Sequence, residues 1–272
     1  MGRIGGSLAG RALRAGVAIA VASALSACST VGPEIERTAL HTDVGPNVGL
    51  GSPLTGVVTT PDDHAIHGID VAKYQGAIDW SGVAAAGARF AYIKATEGGD
   101  RVDERFAENW AGARAAGVPR GAYHFYYFCR TGAEQAAWFK ANVPVDPNAL
   151  PMVLDMEWNP DSPSCKRRPP REEILREMSV FLRMIERHYG KRPAIYTSVD
   201  FHRDVLVGAF PDYHFWLRSV AGHPSIRYHL SRNFTLWQHT ATGRIGGVTG
   251  NVDRNVFVGN TAAWRRFAAT GL

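Results

Sequence analysis

The 272-residue sequence lacks three features that would each indicate a particular class of protein. Its formal net charge is only +5, and no Lys/Arg-rich patch with interleaved aromatic residues occurs, which argues against a nucleic-acid partner. The apolar stretch at residues 15–27 is too short to span a bilayer. No glycine-rich nucleotide-binding motif follows a predicted strand and opens a helix. The segment 242–251 is rich in glycine, but it does not open a helix and is interpreted as a hairpin loop.

Residues 1–27 have the pattern of an export signal. Arg11 and Arg14 precede the apolar stretch, which ends in small residues. The segment "LSAC" at 25–28 resembles a bacterial lipobox, in which the cysteine, here Cys28, is lipidated and becomes the mature N-terminus. The alternative is a plain secretory signal with an incidental Cys28. Ser29 follows, as in outer-membrane sorting, so we expect an exported lipoprotein anchored on the periplasmic side, at the outer membrane, with a net charge near +2 once three arginines are removed.

The three cysteines agree with export. With Cys28 assigned to lipid, Cys129 and Cys165 remain as a disulfide pair in an oxidising compartment, although two unrelated buried thiols are the alternative. Residues 28–65 lack sustained periodicity and contain several Gly and Pro, so we predict a flexible tether with a root-mean-square span of roughly 35 Å. The folded domain is then expected to cover residues 66–272.

Strands and helices alternate after residue 66. The helices are predicted over 79–88, 103–117, 131–143, 171–189 and 261–269. The strands are predicted over 67–75, 89–96, 119–128, 151–158, 192–198, 213–220, 233–240 and 251–259. About eight strands in roughly 200 residues favour a closed α/β barrel of the TIM type with its last helices reduced, and a doubly wound open sheet is the alternative.

Polar residues occur near the carboxyl ends of these strands, where a barrel of this type collects its chemistry. They are Asp70, Glu97, Tyr123, His124, Asp155, Glu157, Tyr196, Trp216, Arg218, Gln238 and Asp253. So many polar side chains converging on one rim predict a functional site.

The pair in "PMVLDMEWNP", Asp155 and Glu157, points to one face of a strand because the residues are two apart. Two adjacent carboxyl groups in a partly dry cleft force their pKa values apart, as cleavage of a glycosidic bond requires. We expect Glu157 to have the raised pKa and Asp155 to stay ionised. Asp70 and Asp253, from the first and last strands, would be neighbours in a closed barrel. The alternative is a pair of ion-paired carboxylates that only closes the barrel end.

Seven motifs in order resemble the family-25 glycoside hydrolases, lysozymes of the N-acetylmuramidase type. They are "HGIDVAKYQGAIDW", "FAYIKATEG", "GAYHF", "LDMEW", "AIYTS", "LWQHT" and "GVTGNVDRNVF". The resemblance implies a barrel with five helices and a modified end, and hydrolysis of the β-1,4 bond after N-acetylmuramic acid in peptidoglycan.

By the same resemblance, Glu157 matches the proton donor, and Asp155, Asp70 and Asp253 match its acidic partners. Tyr123 and Tyr196 match aromatic positions near the substrate's acetamido group. We add His124, Trp216 and Gln238, on the same rim, as substrate-binding residues. His124 has no second His or Cys at ligand spacing, so neither a metal nor a cofactor is expected.

One departure from the family is Lys73, which would bring a positive charge near Asp70. Two other functions remain open: a lipoprotein that binds peptidoglycan without cutting it, and a glycosidase acting on a chitin-like polymer. For every reading the expected partners are glycan strands and, through the lipid, a membrane, with the protein itself a monomer.

Overall fold

A computed structural model describes residues 58–229 and 232–272. The predicted signal peptide, Cys28 and the tether up to residue 57 lie outside the described residues. Within the described part of the chain, no helix is long and apolar enough to cross a membrane.

The elements follow the predicted order. The strands are β1 Ile66–Val71, β2 Phe90–Glu97, β3 Arg101–Val102, β4 Arg120–Phe125, β5 Val153–Met156, β6 Ala194–Thr197, β7 Phe215–Arg218, β8 Leu236–Gly243 and β9 Val252–Phe257. The helices are α1 Trp80–Ala85, α2 Phe106–Ala115, α3 Gly132–Asn142, α4 Arg171–Tyr189, α5 Val199–Phe201, α6 Pro224–Arg227 and α7 Thr261–Thr270. The short β3, which forms a hairpin with β2, was not predicted.

Eight of the strands form a closed barrel, because β1 pairs with β2 on one side and with β9 on the other. The TIM-like fold is thereby confirmed and the open sheet is excluded. Seven strands are parallel, but β9 runs antiparallel to both β8 and β1. The hairpin loop predicted at 242–251 explains this, since a parallel return needs a longer crossover. The reversal brings the start of β9 to the rim where the other strands end.

Local signals set the helix boundaries. Thr131 and Glu134 form the predicted capping box at the start of α3. Helix α4 spans the predicted residues and ends at Gly190, whose φ of 72° is a left-handed conformation that glycine adopts without strain. Its apolar stripe packs on the barrel through Ile174, Met178, Phe181, Leu182 and Ile185. Burying each such side chain contributes roughly 1.5–3 kcal/mol.

The core has two layers, one inside the barrel and one between the barrel and its helices. The interior is filled by large side chains such as Phe90, Tyr92 and Trp216, and Phe267 of α7 belongs to the same cluster. Glycine is required at position 68 inside the barrel, because a Cβ there would lie 2.5 Å from the Phe90 ring. Inward-facing positions alternate along each strand, so the next inward residue after these apolar ones lies at the rim.

Residues 58–65, here called the N-terminal strap, lie against the outer face of β8. The Thr59 hydroxyl is 3.2 Å from Nε2 of His223, and the His64 ring contacts Trp237 edge-on at 6.5 Å between centroids. Trp237 is almost fully buried on this face, and the four-residue α6 precedes β8 in the described part of the chain. These eight residues, assigned by sequence to the tether, therefore pack with the domain.

Candidate active site

An open cleft of about 320 Å³ lies at the rim formed by the carboxyl ends of the parallel strands and the start of β9. Eight predicted site residues line it: Asp70, Tyr123, Asp155, Glu157, Tyr196, Trp216, Gln238 and Asp253. Strand alternation explains the grouping, because each is an inward-facing residue at or near the rim, with Glu157 directly after β5 and Asp253 near the start of the reversed β9.

Asp70 and Asp253 are direct partners in the β1–β9 ladder. Oδ2 of Asp70 also accepts hydrogen bonds from Nε2 of Gln238 at 2.9 Å and Nδ2 of Asn255 at 2.7 Å. Burial and the neighbouring Asp253 nevertheless raise the pKa of Asp70 to about 8. Burial raises the pKa of Asp253 as well, while Arg218 opposes that rise. The hydrogen bond with Asp70 also lowers the pKa of Asp253, so Asp70 is the member of the pair that holds a proton more strongly.

Two relays of hydrogen bonds orient the amides that hold Asp70. The Tyr196 hydroxyl donates to Oε1 of Gln238 at 2.9 Å, and Nε1 of Trp216 donates to Oδ1 of Asn255 at 2.8 Å. Because each amide oxygen is thereby used as an acceptor, each amide NH₂ is directed at Asp70. Trp216 and Gln238, whose binding of substrate stays a prediction, line the cleft and also position Asp70 through these bonds.

Glu157 lies directly after β5, and its carboxyl group faces the cleft. Burial raises the pKa of Glu157 to about 7, with Arg218 and Lys94 opposing the rise and Asp200 and Asp253 adding to it. A carboxyl group that is protonated near neutral pH suits a proton donor.

Asp155 behaves differently from the sequence-based expectation that it stays ionised. Its side chain is buried, and its Oδ1 has no hydrogen-bond partner among the described residues. Burial, followed by the adjacent Glu157, raises the pKa of Asp155 well above its ordinary value. Since Asp155 lies deeper than Glu157, it is the member of the pair that resists ionisation more strongly.

Two cations reach the cleft, Lys94 and Arg218. Lys94 forms an ion pair with Glu97 at 2.6 Å and lies over the Phe125 ring. Lys73, which was expected to approach Asp70, does not line the cleft. Its ammonium group binds Glu104 at 2.7 Å because the chain turns away from the barrel in a short 3-10 segment after β1.

The prediction that His124 binds substrate is wrong. His124 follows the inward-facing Tyr123, so its side chain points outward, between the barrel and the helices. Nδ1 is 2.7 Å from the Thr96 hydroxyl and Nε2 is 3.0 Å from Oε1 of Gln135, and the ring stacks on Phe181. Burial lowers the pKa of His124 to about 4, so it is a neutral core residue.

The loops after β4 and β5 are joined by the expected disulfide between Cys129 and Cys165. Beside it, Trp158 packs against Phe128 and Phe201, with centroid distances of 5.2 and 4.8 Å. Its Nε1 donates to Asp204 at 3.0 Å. The residue that follows Glu157 is therefore anchored on both sides.

Sequence reasoning missed several residues of the site, among them Tyr74, Lys94 and Asn255. Lys94 could have been found as the only charged residue within the apolar run "FAYIKA", and Asn255 from its i+2 spacing to Asp253. Tyr74 lines the cleft with 77% of its surface exposed, and its position inside a predicted strand concealed it.

Comparisons with known proteins agree with this geometry. The sequence pattern of the glycosyl hydrolases family 25 matches residues 69–248. Lysozyme M1 of Streptomyces globisporus is 35% identical over 244 residues, which cover 85% of this chain and 81% of the relative.

Two solved structures are also similar. A family 25 glycosyl hydrolase from Bacillus anthracis has a TM-score of 0.69 and 36% identity, covering 84% of this chain and all of that one. The bacterial lysozyme of Streptomyces coelicolor has a TM-score of 0.65 and 36% identity, covering 75% and 97% of the two chains. With the carboxyl-lined cleft of a glycosidase in a barrel of this shape, the chain belongs to family 25 of the glycosyl hydrolases.

Proposed function

We propose that this protein is a muramidase that hydrolyses the β-1,4 bond between N-acetylmuramic acid and N-acetylglucosamine in peptidoglycan. The observation that carries the proposal is the carboxyl cluster of the cleft, in which Glu157 has a pKa near 7 beside Asp155, Asp70 and Asp253. The relatives named as lysozymes support peptidoglycan as the substrate.

Glu157 is the general acid in this mechanism. Its proton passes to the glycosidic oxygen as the bond to the sugar carbon breaks, and positive charge develops on the sugar ring. Asp253, the member of its pair with Asp70 that holds a proton less strongly, stabilises that developing charge. The raised pKa of Asp155 disfavours a second negative charge beside Glu157, which eases the ionisation of Glu157 as it gives up its proton.

The alternative of a wall-binding protein without activity is weaker on energetic grounds. Carboxyl groups held in a buried cluster at raised pKa values destabilise the folded state above neutral pH, and a site that only binds glycan has no use for that cost. A glycosidase acting on a chitin-like polymer would use the same carboxyl groups and differ only in how the sugar is recognised.

The test of catalysis uses residues 29–272 of the wild type, Glu157→Gln and the control Glu172→Gln, which changes an exposed carboxylate of α4. Each protein is incubated with purified peptidoglycan and with chitin, and the soluble products are identified by mass spectrometry. We expect new reducing-end N-acetylmuramic acid from the wild type and the control, and a loss of about 10³-fold or more in Glu157→Gln. Equal release of products by all three proteins would reject Glu157 as the acid. Release of products from chitin alone would show that the substrate is a chitin-like polymer and not peptidoglycan.

We also propose that the protein is exported and anchored in a membrane, at the outer membrane, through lipid on Cys28. The support is the "LSAC" segment after an apolar run with preceding arginines, all of which lies outside the described residues. Cells expressing the full chain would be labelled with a palmitate analogue and fractionated. We expect labelled protein in the membrane fraction, and neither label nor membrane association for Cys28→Ala; labelling that persists in Cys28→Ala would refute lipidation at this residue.

A further inference from the structure

Arg218 is an unpaired cation in a cleft rich in carboxyl groups. It is the last residue of β7, and its half-buried side chain lines the cleft with Glu157 and Asp253. Among residues 58–229 and 232–272, no carboxylate oxygen lies within 4.0 Å of its guanidinium nitrogens and no group accepts a hydrogen bond from them. Lys94, the other cation of the cleft, is by contrast paired with Glu97 at 2.6 Å.

The backbone of Arg218 is held firmly while its guanidinium group is left without a partner. Its carbonyl oxygen accepts a hydrogen bond from the Tyr228 hydroxyl at 2.9 Å, and its Cα is in register with Gln238 of β8. Two residues earlier, Trp216 is fixed by its bond to Asn255. The five N–H donors of the guanidinium group line the cleft, and no acceptor for them is found among the described residues.

The position of this charge relative to the chemistry is also defined. Of the charged groups around Glu157, Arg218 has the largest effect on its pKa, and it acts in the same direction on Asp253. The guanidinium group lines the same cleft as the proton donor and the pair of Asp70 and Asp253, but among the described residues it forms an ion pair with none of them. A sugar bound between Glu157 and Asp253 would occupy the cleft that Arg218 also lines.

Muramic acid differs from glucosamine in a single substituent, the lactyl ether on O3, which ends in a carboxyl group. A guanidinium group binds a carboxylate through two parallel hydrogen bonds. The free energy that these hydrogen bonds contribute offsets the cost of removing both charged groups from water only when the two groups pair well. A cleft that distinguishes peptidoglycan from chitin needs a group that contacts this substituent, and Arg218 is a free donor of matching charge and geometry.

We propose that Arg218 is a specificity-determining residue that binds the carboxyl-bearing lactyl substituent of muramic acid. The inference rests on the proposed muramidase function and adds the recognition of the substrate to it. When a stem peptide is attached, the lactyl carboxyl group is an amide, and Arg218 donates to its carbonyl oxygen instead. The charged form of the substituent is then bound more tightly than the amide form.

The experiment compares two matched substrates. Peptidoglycan strands are freed of stem peptides by an amidase, which leaves lactyl carboxylates, and half of the sample is converted to the neutral methylamide. The value of kcat/KM is measured on both forms at one pH for wild type, Arg218→Met, Arg218→Lys and the control Arg187→Met, which changes an exposed arginine of α4. Thermal unfolding establishes that each variant is folded. If Arg218→Met does not fold, Arg218→Lys replaces it as the test variant.

We expect wild type and Arg187→Met to prefer the carboxylate strands by at least about tenfold, because a charge-assisted pair is worth more than a neutral hydrogen bond. Arg218→Met should reduce that ratio to about 1, and Arg218→Lys should fall between. Removing Arg218 also raises the pKa of Glu157, but this change affects both substrates equally and cancels in the ratio.

Two outcomes separate this inference from the function on which it rests. If the ratio is unchanged in Arg218→Met while the alkaline limb of the pH profile moves upward, Arg218 acts only on Glu157 and the inference is wrong. If the wild type cleaves neither substrate, the muramidase proposal fails. The dissociation constants of the two strand types for wild type and Arg218→Met then decide the inference: a preference lost in Arg218→Met supports it, and equal preferences overturn it.

Discussion

Glu157 and Asp70 keep protons at a pH where free glutamate and aspartate side chains would have lost them. The cause is mainly burial, with a second carboxyl group close to each, and the flanking cations only partly offset it. Asp70 stays protonated even though two amides donate to it, which shows that desolvation outweighs two hydrogen bonds at this position.

The first prediction at this scale concerns the pH profile of the enzyme. A general acid must be protonated in the free enzyme, so kcat/KM on peptidoglycan should fall tenfold per pH unit above about pH 7, where Glu157 ionises. Initial rates between pH 4 and pH 10 at constant ionic strength measure this limb. A profile that is flat to pH 9 would contradict the assignment of Glu157.

The second prediction links the same pKa to stability. Because the folded pKa of Glu157 lies above its ordinary value of 4.5, the contribution of Glu157 to stability is fully present below about pH 4 and is lost as the pH rises through about 7. Glu157→Gln removes the ionisable group and should be more stable than wild type by about 3 kcal/mol at pH 9, with the difference vanishing near pH 4. Denaturant unfolding at the two pH values measures both differences, and Glu172→Gln should show neither.

At the scale of elements, the reversed β9 and the loop after β5 decide the geometry of the cleft. β9 places Asp253 at the rim because it runs against its neighbours, so the residue lies at the start of the strand and not at its end. The loop after β5 carries Glu157 and Trp158 and is tied to the preceding loop by the Cys129–Cys165 disulfide.

The third prediction concerns that disulfide. Replacing both cysteines by alanine releases a link across 36 residues and should lower the free energy of unfolding by about 2–4 kcal/mol. Since the freed loop carries Glu157, kcat should fall more than KM rises. Unfolding curves and steady-state kinetics with and without reductant test this. Reductant should lower the free energy of unfolding of the wild type to that of the variant and leave the free energy of unfolding of the variant unchanged. A variant as stable as the oxidised wild type would contradict the prediction.

At the scale of the whole molecule, the N-terminal strap connects the predicted tether with the barrel. Thr59 and His64 of the strap contact His223 and Trp237, which lie beside strand β8 and on it. The next residue of β8, Gln238, points to the opposite face of the strand and into the cleft, so the segment that leads away from the domain packs on a strand of the site.

The fourth prediction tests the contribution of the strap. A protein that begins at residue 66 should be less stable than one that begins at residue 58 by about 1–2 kcal/mol, because it loses this hydrogen bond and uncovers Trp237. Thermal unfolding and tryptophan emission measure the loss, and emission should shift to longer wavelength. His64→Ala in the longer protein should reproduce part of this loss of stability. Equal melting temperatures for the two proteins would show that the strap does not stabilise the domain.

The sequence by itself determined the order of strands and helices, the cap at Thr131, the extent of α4 and the family, because periodicity and capping depend on residues close in the chain. It also placed Asp155 and Glu157 on one face, because the spacing of two residues along a strand has this effect whatever the rest of the fold.

Only the tertiary structure decided which groups face the cleft and which of them are charged. It turned His124 outward, paired Lys73 with Glu104 and reversed β9 so that Asp253 meets Asp70. It raised the pKa of Asp155, and among the described residues it left Arg218 without an ion-pair partner. These properties depend on burial and on contacts between residues far apart in the chain, so no local pattern contains them.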